Sequence, residues 1–315
     1  MRIFRSIPSG SNTPLALTIG NFDGVHLGHR AMLQTLRQAA HSRGLPAAVM
    51  TFEPHPREFF APDRAPARLT RLRDKLALLA ADGVDRVYVC RFNYALAQTS
   101  PDDFVDRILV RGLAVRWLLV GDDFRFGARR AGDRAFLAAA AARSGYAMHA
   151  MESVIIDGER ISSSAVRDAL AAGELDRATT MLGRPYAVSG RVVRGDRIGR
   201  TLGFPTANLR PPAGQLPFSG IFAVEVHGVG RHAVRGVASL GVRPTVTDAG
   251  EPRLEVHLFD FDQDIYGVRV RVEFLRKFRD EEKYADLETL RRQIDRDAAN
   301  ARAFFRDRDA AARPL

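Results

Sequence analysis

The chain has 315 residues, 46% hydrophobic and 27% charged, enough for one large core or, more in keeping with its length, two ordinary ones. No stretch approaches the roughly 18 uninterrupted apolar residues of a membrane span, and the opening MRIFRSIPSG is too poor in apolar residues for a signal peptide, so no membrane partner and a cytoplasmic location are expected. The formal net charge of +10 comes almost wholly from arginines scattered beside alanine, only Lys75, Lys277 and Lys283 being lysines; with no basic block interleaved with aromatics, a specific nucleic-acid partner is not expected.

The first half alternates strands with helices. Apolar runs at LALTI (15–19), AAVMTF (47–52), RVYVCRF (86–92) and RWLLV (116–120) predict strands, and HRAMLQTLRQAAHSRG, TRLRDKLALLAADG, SPDDFVDRILVRG and DRAFLAAAAARSG predict the helices between and after them. Ser100 as N-cap, Pro101 in the first turn, and Asp102 and Asp103 where the helix dipole favours anions mark a clean helix start. Such alternation implies a doubly wound parallel sheet with ligands at the carboxyl ends of its strands. Cys90, the lone cysteine, lies in one of these runs; it can form no intrachain disulfide and reads as a small buried hydrophobe suited to a reducing compartment.

A helical segment through DALAAGELDRATTMLG leads to a change of rhythm near residue 184, giving domains of 1–183 and 184–315. Beyond it the short strands YAVSGRVVRG, GIFAVEVHG, HAVRGVASLG, RLEVHLFDF and VRVEFLRKF predict an antiparallel barrel or sandwich. A last helix, about 286 to 305, places Leu287, Leu290, Ile294 and Ala298 on one face to pack on it.

The stretch IGNFDGVHLGH sets His26 and His29 at the junction of the first strand and its helix, where outward-pointing backbone N–H groups suit phosphate. Zinc would need further ligands, and the other histidines and Cys90 form no ligand-spaced set. A pair of polar residues that merely fixes a turn remains the plain alternative.

Taken together, the motifs resemble one family. GNFDGVHLGHR is similar to the HxGH signature of nucleotidyltransferases, in the form found in bacterial bifunctional riboflavin kinase/FAD synthetases; GDDFRFG (121–127) and RISSSAVR (160–167) are similar to that family's later nucleotide motifs. GRTLGFPTANL (199–209) and EVHLFDFDQDIYG (255–267) are similar to the kinase module's PTAN signature and catalytic glutamate segment, so five motifs stand in order over nearly the whole chain. The resemblance implies an N-terminal nucleotidyltransferase domain of Rossmann-like fold, then a riboflavin kinase β-barrel with a C-terminal helix. It implies conversion of riboflavin to FMN and of FMN to FAD, one ATP being used in each step with Mg2+.

On that resemblance, Gly20, Phe22, Asp23, Gly24, His26 and His29 belong to the ATP site of adenylyl transfer, the two histidines serving catalysis as hydrogen-bond donors to the ATP phosphates. Arg160, Ser163, Ser164 and Arg167 would hold the departing pyrophosphate end. Asp123 stands where the family often has asparagine, so it either contacts the nucleotide or helps hold magnesium. The TFEPHPREFF segment is placed on the flavin side. In the kinase half, Glu255 matches the catalytic base, Thr206 and Asn208 match ATP and magnesium ligands, and Gly195 and Gly203 belong to a glycine-rich flap, GRVVRGDRIGRTLG, over the ATP phosphates. Two other readings stay open: a nucleotidyltransferase with a different acceptor, and a nonenzymatic flavin or nucleic-acid binding protein. No motif sets the oligomeric state.

Overall fold

The computed structural model of the chain describes residues 1–195, 199, 202–210, 217–242 and 252–311. By contact the chain forms two compact units, Met1–Pro66 with Thr70–Ser163, and Ala67–Leu69 with Ser164–Leu315.

The first unit is built on β1 (Arg2–Phe4), β2 (Leu15–Ile19), β3 (Ala47–Glu53), β4 (Arg86–Arg91), β5 (Val115–Gly121) and β6 (Ala147–Met151), all parallel, in the order β1-β4-β3-β2-β5-β6. Its helices are α1 (Leu27–His41), α2 (Pro56–Phe60), α3 (Leu72–Ala81), α4 (Tyr94–Ala97), α5 (Pro101–Asp103) and α6 (Arg134–Ser144). Side chains alternate across a strand, so Leu15, Leu17 and Ile19 of β2 join Phe104, Leu109 and Leu137 on one face. Ala16 joins Leu33, Leu36 and Leu79 on the other. With both faces covered, the strands read as unbroken apolar runs. Because β3 and β5 flank β2 on opposite sides, the carboxyl ends of β2 and β5 form the topological switch point at which open α/β sheets bind ligands.

Ser100 caps α5 as expected, its hydroxyl oxygen accepting from Asp103 N–H at 3.0 Å. The helix then continues in π geometry from Phe104 to Gly112, which the pattern of apolar residues does not reveal. The strands β1 and β6, absent from the sequence reading, are the two sheet edges; β1 is three residues long, and neither strand has a fully buried residue. A two-stranded ribbon, β7 (Ile155–Ile156) with β8 (Glu159–Arg160), completes the unit.

The expected helical segment before the barrel is two helices, α7 (Ser163–Ala171) and α8 (Leu175–Leu182), broken at Gly173, whose φ of 76° suits glycine. Helix α8 packs on the barrel, so by contact the second unit takes in these helices. The barrel consists of β9 (Tyr186–Val193), β10 (Ala207–Leu209), β11 (Gly220–His227), β12 (Val234–Val242), β13 (Pro252–Leu258) and β14 (Arg269–Arg279), closed as β10-β13-β12-β11-β14-β9 with antiparallel neighbours. Closure resolves the choice between barrel and sandwich and leaves no sheet edge. Tyr186, Phe218, Phe222 and Phe274 interlock edge to face within it, Phe218 lying 5.0 Å from both Phe222 and Phe274.

The C-terminal helix runs from Leu287 to Ala311, longer than the sequence pattern suggests. Its buried apolar residues are Ala298, Ala301 and Phe305, packed against Ile221, Ala223 and Val237 of the barrel wall. Of the expected packing stripe only Ala298 joins that core; Leu290 and Ile294 border a cavity instead, and Leu287, also at its rim, is 62% exposed.

Candidate active sites

In the first unit the chain leaves β2 through a turn in which Phe22, Gly24 and Val25 all have positive φ, at 50°, 81° and 41°. Two of these are not glycine and one is β-branched, a strained arrangement of the kind concentrated at functional sites. His26 then adopts an extended backbone and caps α1, its Nδ1 accepting from His29 N–H at 3.3 Å. That bond places the ring proton of neutral His26 on Nε2 and makes Nε2 a donor. The His26 and His29 rings stack at 3.7 Å, with Phe22 4.8 Å from His29. Gly28 permits this arrangement, since a Cβ there would lie 3.1 Å from His26 Nδ1.

Burial first, then electrostatic repulsion by His26 and Lys75, holds the His29 imidazole well below its ordinary value, so it is neutral at pH 7. Its Nδ1 is buried without a hydrogen-bond partner, as is Asn21 Oδ1 in the same turn. Orphaned polar atoms of this kind call for a ligand or water. The ring of Phe22 is fully buried and packs against His29. Gly20 N–H is committed to Met50 O at 3.0 Å, and the Asp23 carboxylate accepts from Thr70.

After β5, Asp123 receives a hydrogen bond from Arg160 Nη2 at 2.7 Å, and Asp122 lies 3.8 Å from the same nitrogen. The structure thus joins GDDFRFG to RISSSAVR through an ion pair. Ser163 reaches back to the histidine turn, its hydroxyl donating to Asp23 O at 2.9 Å. Ser164 and Arg167 belong to the second unit, where Arg167 Nε donates to Ala67 O at 2.5 Å. Near the carboxyl ends of β3 and β4, Phe59, Phe60, Phe92 and Tyr94 form an aromatic group with Phe60 65% and Tyr94 76% exposed; Phe59 is 4.9 Å from Tyr94.

In the barrel, Asn208 of β10 pairs in register with Glu255 of β13, and Glu255 with Ser239 of β12. Directly opposed residues share a face, and these three line one cavity of about 740 Å3 with Thr206, Arg253, Tyr284 and Leu290. A second cavity, of about 440 Å3, is lined by Gly195, Phe261, Tyr266 and again Thr206 and Asn208. Thr206 and Asn208 therefore border both cavities, while Glu255 borders the larger alone. Arg253 Nη1 lies 3.1 Å from Glu255 Oε1.

Asn208 Nδ2 donates to Thr206 O at 3.3 Å and lies 3.4 Å from its Oγ1, while Asn208 Oδ1 is buried and without a partner. A buried neutral oxygen lacking a donor, beside a hydroxyl, fits a hard cation such as magnesium. Gly195 makes room for that amide, because a Cβ at 195 would run into Asn208 Oδ1. Gly203 has φ of 90° in open space. Much of the flap around it, residues 196–198, 200 and 201, lies outside the described residues. A separate group, Glu225, His227 and Glu273, has metal-ligand spacing on the barrel wall, but Arg308 lies 3.3 Å from Glu225 and Arg271 2.7 Å from Glu273, which satisfies the carboxylates as ion pairs.

Asn21, Thr70 and Lys75 escape sequence reasoning. The last two lie in a segment legible only as a helix and its approach, and no local pattern connects them to a turn near residue 23.

Comparison with known proteins gives matches in both halves. The family model described as FAD synthetase matches residues 9–165 and that described as riboflavin kinase matches residues 182–305. A bifunctional riboflavin kinase/FMN adenylyltransferase of Escherichia coli (strain K12) is 48% identical over 97% of this chain and 98% of its own. A protein of that description from Bacillus subtilis (strain 168) is 36% identical over 92% of each. Among solved structures, one described as a macrolide-efflux protein from Streptococcus pneumoniae superposes with a TM-score of 0.80 at 28% identity, covering 94% of this chain and 97% of that one. Among the described residues no helix is long and apolar enough to cross a membrane.

Proposed function

Because this chain belongs to the bifunctional riboflavin kinase/FMN adenylyltransferase family, it phosphorylates riboflavin and adenylylates FMN, and we propose that Glu255 serves the first reaction and His26 with His29 the second. The functional division is placed between residues 183 and 184. The observation that carries this reading is the row Asn208–Glu255 on adjoining strands, where a neutral oxygen without a partner and a carboxylate border the same cavity.

In the kinase site the larger cavity takes riboflavin and the smaller takes ATP, with Thr206 and Asn208 at the junction. A cavity of several hundred Å3 with apolar walls and a few polar groups suits such a ligand. Glu255 accepts the proton of the riboflavin 5′-hydroxyl as its oxygen bonds to the γ-phosphorus and the bond from that phosphorus to ADP breaks. Thr206 and Asn208 would hold magnesium, which when bound neutralises charge on the ATP phosphates. Changing Gly195→Ala should push the Asn208 amide aside and lower kinase activity on the order of 10- to 100-fold, with a raised magnesium requirement. Titrating magnesium in the kinase assay checks this, with FAD formation from supplied FMN as the control.

In the adenylylation site an FMN phosphate oxygen attacks the α-phosphorus of ATP as the bond to pyrophosphate breaks. His26 Nε2 and the neutral His29 ring donate to phosphate oxygens at the N-terminus of α1. Arg160, released from Asp123 by the incoming anion, and Ser163 assist the leaving pyrophosphate; Ser164 and Arg167 are assigned to it on motif order alone. Asp123 is more simply the resting partner of Arg160 than a metal ligand. The exposed aromatics Phe59, Phe60, Phe92 and Tyr94 offer the flavin ring a stacking surface. A cytoplasmic location is supported by the single, buried Cys90.

Chromatographic separation of flavins tests the whole reading. Riboflavin with ATP and magnesium should give FMN and then FAD, and chelation of magnesium should stop both steps; turnover that persists in excess chelator would contradict the assignment of magnesium.

A further inference from the structure

The turn that carries the two histidines is tied down by a residue that no motif singles out. Asp23 Oδ1 accepts hydrogen bonds from the backbone N–H of Thr70 at 3.0 Å and from its hydroxyl at 3.1 Å. The Gly24 N–H in turn donates to Thr70 Oγ1 at 3.1 Å. Asp23 is 4% exposed, so its carboxylate oxygens find their hydrogen-bond donors within the protein. These bonds fall in the middle of the run of positive-φ residues, Phe22, Gly24 and Val25. A non-glycine backbone in that region persists only where its surroundings over-determine it. His26 follows immediately, and its ring stacks on His29 at 3.7 Å, so a shift of the turn moves both imidazoles. The same stretch of chain runs on into α3, where Lys75 is 4% exposed and its charge bears on His29.

We propose that Thr70 is a positioning residue for adenylyl transfer, its hydroxyl locking Asp23 and Gly24 so that His26 and His29 stand ready for the ATP phosphates. It touches no reacting atom. Its hydroxyl makes two of the three hydrogen bonds, and these are lost without change of shape in Thr70→Val and kept in Thr70→Ser. The inference rests on the assignment of the histidine pair to FMN adenylylation.

Misplacing a catalytic group by about 1 Å costs on the order of 100-fold, and a loss approaching that in kcat for FAD formation from FMN is expected of Thr70→Val. Riboflavin phosphorylation by the same chain should stay within about twofold, and Thr70→Ser should restore most of the FAD-forming rate. Full adenylylation by Thr70→Val would overturn the inference. So would a Thr70→Ser variant as impaired as the valine one, or an equal fall of both activities in Thr70→Val. His29→Ala separates the two layers of the argument: if it keeps full FAD formation, the histidine assignment itself fails, whereas if it abolishes FAD formation while Thr70→Val does not, only the role of Thr70 fails.

Discussion

Replacing Glu255 by glutamine should lower the rate of riboflavin phosphorylation by about 10²- to 10⁴-fold, the range for removal of a positioned general base, while FAD formation from supplied FMN continues. The substitution nearly preserves volume, and the strand register that sets Glu255 between Asn208 and Ser239 does not depend on the side chain. What is lost is the negative charge. An amide cannot take the proton of a primary alcohol, and it replaces the charged group that Arg253 Nη1 meets at 3.1 Å by a neutral one. Initial rates of FMN formation check the expectation. Near-normal phosphorylation in the folded variant would remove Glu255 as the base.

The converse is expected of His29→Ala. FMN should accumulate from riboflavin at the ordinary rate, while its conversion to FAD falls by about 10²- to 10³-fold, as for loss of one preorganised donor to a developing oxyanion. His29 touches both the buried ring of Phe22 and the ring of His26, so truncation removes a donor and also the ring stacked on His26. The neutral state of His29 matters here. A neutral imidazole supplies one N–H donor and one acceptor, so its part is directional hydrogen bonding rather than fixed positive charge, and the rate should not follow protonation of this ring between pH 7 and 8. Single-turnover FAD formation from FMN at those pH values measures both effects.

The two sites differ in how far the sequence reveals them. The histidine pair is legible because the turn, the N-cap and the ring stack are local, all within residues 20 to 29. The sheet order is legible in outline because strands buried on both faces leave unbroken apolar runs such as LALTI, whereas the edge strands β1 and β6 leave none. In the barrel, β10 has only three residues and no alternation long enough to register, yet its pairing with β13 is what brings Asn208 beside Glu255. Without the family resemblance nothing in PTAN or EVHLF would join them. Leu290 and Ile294 fit a packing stripe equally well whether they face a core or a cavity, and the structure assigns them to the cavity. Thr70 is silent for a different reason: its bonds to Asp23 span 47 positions, and its residue type suits any helix approach.

The central claim is that two independent sites on one chain carry the two reactions. Its most direct test mixes the Glu255→Gln and His29→Ala variants in equal amounts with riboflavin, ATP and magnesium, and follows FAD by chromatography. Each variant alone should fail to make FAD from riboflavin, and the mixture should make it, FMN released by the second variant serving as substrate for the first. A mixture that makes FMN but no FAD, although the Glu255→Gln variant is folded and supplied with that FMN, would contradict the assignment of the two residues to separate reactions.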